Sequence, residues 1–195
     1  MKTLLASAAL AASILLPTAA NAQAVPAAVI AVVDLQRVMT DCNACKNAAA
    51  AIRTQVTTLQ NREKTLSGPL ATEQKSIQAA IDALPKGTEP PAALQARANA
   101  WNQKRQQAAQ EISDNQDQIQ RNTQYIQKQI LDKLPPIYTQ VMQKRGANLL
   151  LETSSTLATS SNVDVTNDVL AALNPVLPSL VTIAPAQAQP QPQGR

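Results

Sequence analysis

Between Leu35 and Gly146 apolar residues recur with a heptad rhythm, broken once by Leu84-Pro85-Lys86-Gly87-Thr88-Glu89-Pro90-Pro91. In the first half they fall at Ile52, Val56, Leu59, Leu66, Leu70, Ile77 and Leu84, spacings of 4, 3, 7, 4, 7 and 7. That pattern predicts one face of a long helix, with Glu63, Glu73 and Ala80 filling the seam positions between. In the second half Ile112, Ile119, Ile126, Ile130, Ile137 and Val141 mark a facing seam, with Gln116 and Thr123 inside it. The remaining positions are mostly Ala, Gln, Lys and Arg, all strong helix formers. The prediction is an antiparallel helical hairpin over residues 35–146 with its tip at 85–91.

A continuous helix from Leu35 to Leu84 reaches roughly 75 Å at 1.5 Å per residue. Closing the hairpin at this tip makes facing residue numbers sum to about 176, so Leu70 lies near Gln106 and Leu35 near Val141. Ser67-Gly68-Pro69 predicts a kink in the first arm, because proline removes a helical hydrogen bond, and Pro135-Pro136 predicts a break in the second. Gly146 is placed to end the helix.

Shorter extended runs flank the arm. Val29 to Val33 is β-branched enough for a buried strand, and Asp34 follows as a helix cap. Asn148 to Thr153 predicts a second strand and Val163-Asp164-Val165 a third. Thr166 is placed to cap a last helix, Asn167 to Leu173, with Asp168 in its first turn and Pro175 as its stop. The fold class is α+β, mostly α: a long hairpin on a small β body formed by residues 23–34 and 147–174. So small a body holds too little apolar mass to stand alone, and assembly of several copies is expected to complete it.

The two ends carry different signals. Residues 1–22 read as an export signal, with Lys2, an apolar run from Leu4 to Leu16, Pro17, and Ala20-Asn21-Ala22 before a cut after Ala22. Residues 175–195 are rich in Pro, Ala and Gln and are expected to form a disordered tail.

Charge sharpens this picture. Removal of the signal takes the net charge from +4 to +3, yet Arg37 to Arg145 holds fifteen Lys/Arg against nine Asp/Glu. The arms are basic, while Gly146 to Gly194 carries only Glu152, Asp164 and Asp168 as charges. A basic arm suits nucleic acid, an anionic membrane surface or an acidic client. Nucleic acid is disfavoured by the export signal and by an aromatic set limited to Trp101, Tyr125 and Tyr138.

Candidate chemistry is sparse. Cys42-Asn43-Ala44-Cys45 is a candidate disulfide in an oxidising compartment, with free thiols or a redox or metal pair as alternatives. The chain has no histidine, which removes His-based triads and disfavours zinc, whose four ligands would have to come from two Cys and scattered carboxylates. Asp114 and Asp117 fall on a solvated helical face, and Trp101 is placed to fill space between the arms. No catalytic, cofactor or metal site is expected.

The run Ile30-Ala31-Val32-Val33-Asp34-Leu35-Gln36-Arg37-Val38 resembles the opening of mature Skp/OmpH-family periplasmic chaperones. Val163-Asp164-Val165-Thr166-Asn167-Asp168-Val169-Leu170-Ala171-Ala172-Leu173-Asn174 resembles their closing helix. The resemblance spans Val29 to Asn174. It implies a homotrimer with three helical tentacles on a β body. It also implies an ATP-independent periplasmic holdase for unfolded outer-membrane β-barrel proteins, with lipopolysaccharide or an anionic membrane surface as a further partner. The other reading is a structural helical-hairpin protein of the cell envelope without chaperone activity.

Overall fold

A computed structural model describes residues 25–185. The predicted export signal therefore lies outside the described residues, as does the last part of the predicted tail.

The chain runs β1 (Ile30–Val33), α1 (Leu35–Asp41), α2 (Asn43–Asp82), α3 (Ala92–Leu131), α4 (Leu134–Arg145), β2 (Leu149–Glu152) and α5 (Thr166–Val176). Helices α2 and α3 pack along their lengths as the hairpin, and the remaining elements gather at its base. The α+β, mostly helical class is the one the heptad pattern and short flanking strands predict. Contacts between the arms, such as Trp101 with Leu70 and Asn122 with Gln55, join residue numbers that sum to 171 and 177.

The Asp34 side chain caps α1 by accepting the Arg37 N–H at 2.8 Å. The helix from Leu35 is not continuous: the backbone of Cys42 is extended, at φ −60° and ψ 147°, and its sulfur then caps α2. Helix α2 continues through Gly68 and Pro69. One lost hydrogen bond is absorbed there, because the carbonyl left without a donor belongs to the exposed Thr65 and good helix formers flank it. In the return arm the interruption falls at Asp132 and Lys133, ahead of the proline pair. Pro135 and Pro136 sit in the first turn of α4, where a missing N–H costs nothing. Gly146 closes α4 in the left-handed region at φ 66°.

The turn at Gly146 sends β2 parallel to β1, with Ile30 opposite Leu149 and Val33 opposite Glu152. On the other edge of β1, Val165 donates to the Val32 carbonyl and Val32 donates to the Val163 carbonyl, both at 2.8 Å. Only two of the three predicted strands form: the sheet is β1 and β2, and Val163-Asp164-Val165 contributes a single parallel bridge from Asp164 to Val32, because Val163 lies in a turn and Val165 already leads into α5.

Thr166 does not cap its own helix. Its hydroxyl, fully buried, accepts the N–H of Asp34 at 2.9 Å, and its own N–H goes to Asp164. Pro175 does not stop α5 either, and the Leu177 N–H still reaches the Leu173 carbonyl at 2.9 Å. The described part of the predicted disordered tail is docked: Leu177 is buried, Leu180 packs on the core, and residues 181–184 are hydrogen-bonded to the arms.

One apolar cluster fills the base. Val38, Val169 and Leu173 are completely inaccessible, and Ile130, Leu134 and Val141 nearly so. It exceeds what the β body alone holds, because Ala44, Cys45 and Ala48 of α2 and Ile126 and Ile130 of α3 join it. The feet of the arms are part of the core, which is how the base fixes their direction.

Candidate functional site

Beyond Ala48 on α2 and Ile126 on α3 the arms bury very little. Ile77 and Asn122 are the only residues buried there among the described ones, while Leu59, Leu66, Leu70, Ile112 and Ile119 are half-buried and Val56 and Ile81 exposed. A two-helix hairpin covers only one side of each seam, so the apolar stripe remains open to solvent along its flanks. Trp101 spans the arms and donates from Nε1 to the Leu70 carbonyl at 2.8 Å, with the Arg105 guanidinium 5.4 Å from its ring centre.

Two ion pairs stitch the outer arms: Arg62 with Glu111 at 2.6 Å, and Arg97 with Glu73 at 2.5 Å. The hydrogen bonds from the guanidinium groups hold both glutamate carboxyls below their ordinary range. The other arm cations Lys46, Arg53, Lys64, Lys75, Lys86, Lys104, Arg105, Arg121 and Lys133 form no ion pair among the described residues. Unpaired positive charge is therefore spread along both arms beside the open stripe.

Between α2 and α3, just above the base, lies a groove of about 400 Å³ lined by Leu59, Ile119 and Ile183 with the amides of Gln55, Gln118 and Asn122. A second apolar groove at the base lies between Leu35, Tyr138, Met142 and β2. Burial pushes the Tyr138 phenol up there. At the sheet end beside it the paired residues Ile30 of β1 and Leu149 of β2 are each about two-fifths exposed.

Cys42 and Cys45 sit at the break between α1 and α2, buried, with their sulfurs 2.01 Å apart. Asp114 and Asp117 are exposed on α3, and Asp114 accepts a hydrogen bond from Gln110. No three potential metal ligands cluster among the described residues. No described helix is long and apolar enough to cross a membrane.

Sequence reasoning missed the polar knot of Asn122, Gln55 and Gln118, which sits beside the predicted seam position Thr123. The pairing sum of about 176 sets Gln55 opposite Arg121, one residue from Asn122, so the spacing carried a signal that hydrophobicity alone does not.

A search of curated proteins finds no match. Among solved structures, one described as an OmpH-like outer membrane chaperone from Caulobacter crescentus CB15 superposes with a TM-score of 0.68 at 17% identity. The match covers 85% of this chain and 96% of that one, and at this identity it speaks for the fold. The family described as outer membrane protein (OmpH-like) matches residues 29–173, from the residue before β1 to the last buried leucine of α5. The chain belongs to the OmpH-like outer membrane protein family.

Proposed function

We propose that this protein is an ATP-independent periplasmic holdase that binds unfolded outer-membrane β-barrel proteins and keeps them from aggregating in transit. Family membership supports a chaperone role in general. The observation that carries the finer reading is the arm surface: an apolar stripe left half-open along two 40-residue helices, flanked by unpaired Lys and Arg. Such a surface holds an unfolded chain at many weak points and draws in acidic segments by charge. Multiple weak contacts need no nucleotide to let go.

The same reading includes a homotrimer. The exposed edge of β2 and the adjoining groove by Tyr138 and Met142 offer unpaired backbone and apolar surface to a second copy, and cyclic closure sets the arms around one cavity. The unpaired arm cations also suit lipopolysaccharide or another anionic membrane surface. In the oxidising periplasm Cys42 and Cys45 form a local disulfide that holds the helix break, with no part in client capture.

The test is turbidity after a urea-unfolded outer-membrane β-barrel is diluted into buffer with or without the chain from Gln23. Suppression near one trimer per client, without ATP and weaker as salt rises, is the expected outcome. No suppression at severalfold excess refutes the holdase reading and favours a structural role in the envelope.

A further inference from the structure

Past α5 the chain runs extended across the foot of the hairpin, and its main chain is held by side-chain amides. Val181 donates its N–H to Gln129 Oε1 at 3.0 Å and its carbonyl accepts from Gln129 Nε2 at 2.8 Å, the two-way pairing that a neighbouring strand provides. The Thr182 carbonyl accepts from Gln55 Nε2 at 3.2 Å, and the Ala184 N–H donates to Asn122 Oδ1 at 2.8 Å. All four bonds use backbone groups of the tail, so they impose no side-chain identity on it.

Two of the receiving amides, Asn122 and Gln55, are tied to each other. Asn122 is 2% exposed, its Nδ2 donates to Gln55 Oε1 at 2.8 Å, and its Oδ1 also accepts from Gln118 at 2.7 Å. Leu177 and Leu180 pack on the core just upstream, whereas Val181 and Ile183 remain more than half exposed, so within residues 181–184 the amide bonds rather than side-chain burial hold the chain. Ile183 stands at one end of the groove between α2 and α3, which continues past Leu59 and Ile119.

We propose that Gln55, Asn122 and Gln129 form a main-chain-reading site for extended polypeptide, which residues 181–184 occupy until an unfolded client segment displaces them. This rests on the holdase reading for the identity of the client. A side-chain-blind site fits a partner that presents many different sequences in extended form. The tail acts as a tethered competitor at millimolar-scale effective concentration, so the site opens only to a client already held elsewhere on the arms.

The test uses the full chain from Gln23 with Val181→Pro and Ala184→Pro together, which remove both tail N–H donors. The probe is a fluorescein-labelled peptide with the sequence of residues 181–185, which carries the seated backbone groups without the core-packed Leu177 and Leu180, followed by anisotropy. The released variant is expected to bind the peptide at least about tenfold more tightly than the unaltered protein, whose own tail competes. Adding Asn122→Ala and Gln129→Ala is expected to remove that binding, with helical circular dichroism as a check on the fold. Equal binding by the unaltered and released chains, or binding that survives loss of both amides, overturns the proposal. Hydrogen exchange on the unaltered protein gives an independent reading: protected amides at Val181 and Ala184 support the site, and exchange at the free-peptide rate overturns it. Turbidity run on the same proteins separates the two ideas. Peptide binding without suppression of aggregation removes the holdase reading and keeps the site, whereas suppression without peptide binding does the reverse.

Discussion

Thr166→Val isolates the hydrogen bond that ties the two ends of the fold together. The Thr166 hydroxyl is fully buried and accepts the Asp34 N–H at 2.9 Å across 132 residues of sequence, fastening the end of β1 to the start of α5. Valine has nearly the same shape, so no cavity forms and the change reads the polar contacts of the hydroxyl, to the Asp34 N–H first and to Asp164 second. Removing the hydroxyl leaves the part-buried Asp34 N–H without its acceptor, so a loss of about 1–3 kcal/mol is expected. Part of that reaches Asp164, whose carboxyl is held below its ordinary range chiefly by hydrogen bonding from Thr166. Urea unfolding followed by circular dichroism at 222 nm, at fixed protomer concentration, measures the change as a lower midpoint with unchanged slope. Thr166→Ser keeps the hydroxyl and is expected to lie between the two. A valine variant within about 0.5 kcal/mol of the unaltered protein refutes the argument, because it means water or a shifted backbone satisfies Asp34.

Further expectations concern the arms. Glu73 and Glu111 have depressed carboxyl pKa values through Arg97 and Arg62, so the support they give is present above their ordinary value of 4.5 and is lost as pH falls below it toward the folded values. Melting of the arms followed by circular dichroism between pH 6 and pH 3 checks this, and Glu73→Gln with Glu111→Gln is expected to flatten the dependence. Trp101→Phe keeps an aromatic ring between the arms but loses the bond to the Leu70 carbonyl, at a cost of about 1 kcal/mol for that bond, with the packing of the missing indole part in addition. Faster amide exchange in the outer halves of α2 and α3 is its signature. Replacing Cys42 and Cys45 together by Ser is expected to leave aggregation suppression intact. The lost loop constraint costs about 2 kcal/mol, since the two residues are only three positions apart, and burial of two hydroxyls in the core adds to it. Loss of suppression with retained helix content contradicts that expectation.

Much of the fold is written in local pattern. Heptad spacing, a tip of Pro and Gly, the Asp34 cap and the Gly146 terminator each act over a turn or two of chain, so the hairpin on a small β body is legible from residues alone. The exposed basic surface of the arms follows equally from composition, because so thin a seam leaves little to hide. Proline was the misleading signal: Pro69, Pro135, Pro136 and Pro175 all sit inside helices, two of them in a first turn that tolerates the missing donor.

What tertiary structure alone decided are the contacts made across long sequence separations. The parallel register of β1 and β2 depends on how the chain turns after Gly146, and the role of Thr166 on where α5 lands beside Asp34. Composition reads residues 175–195 as a featureless tail, yet 181–184 are seated because Gln129, Asn122 and Gln55 stand in reach of their backbone. A main-chain hydrogen bond leaves no trace in the identity of the residue that donates it. Sequence determined the helices and their charge, and only their packing at the base created the acceptors and donors that the tail meets.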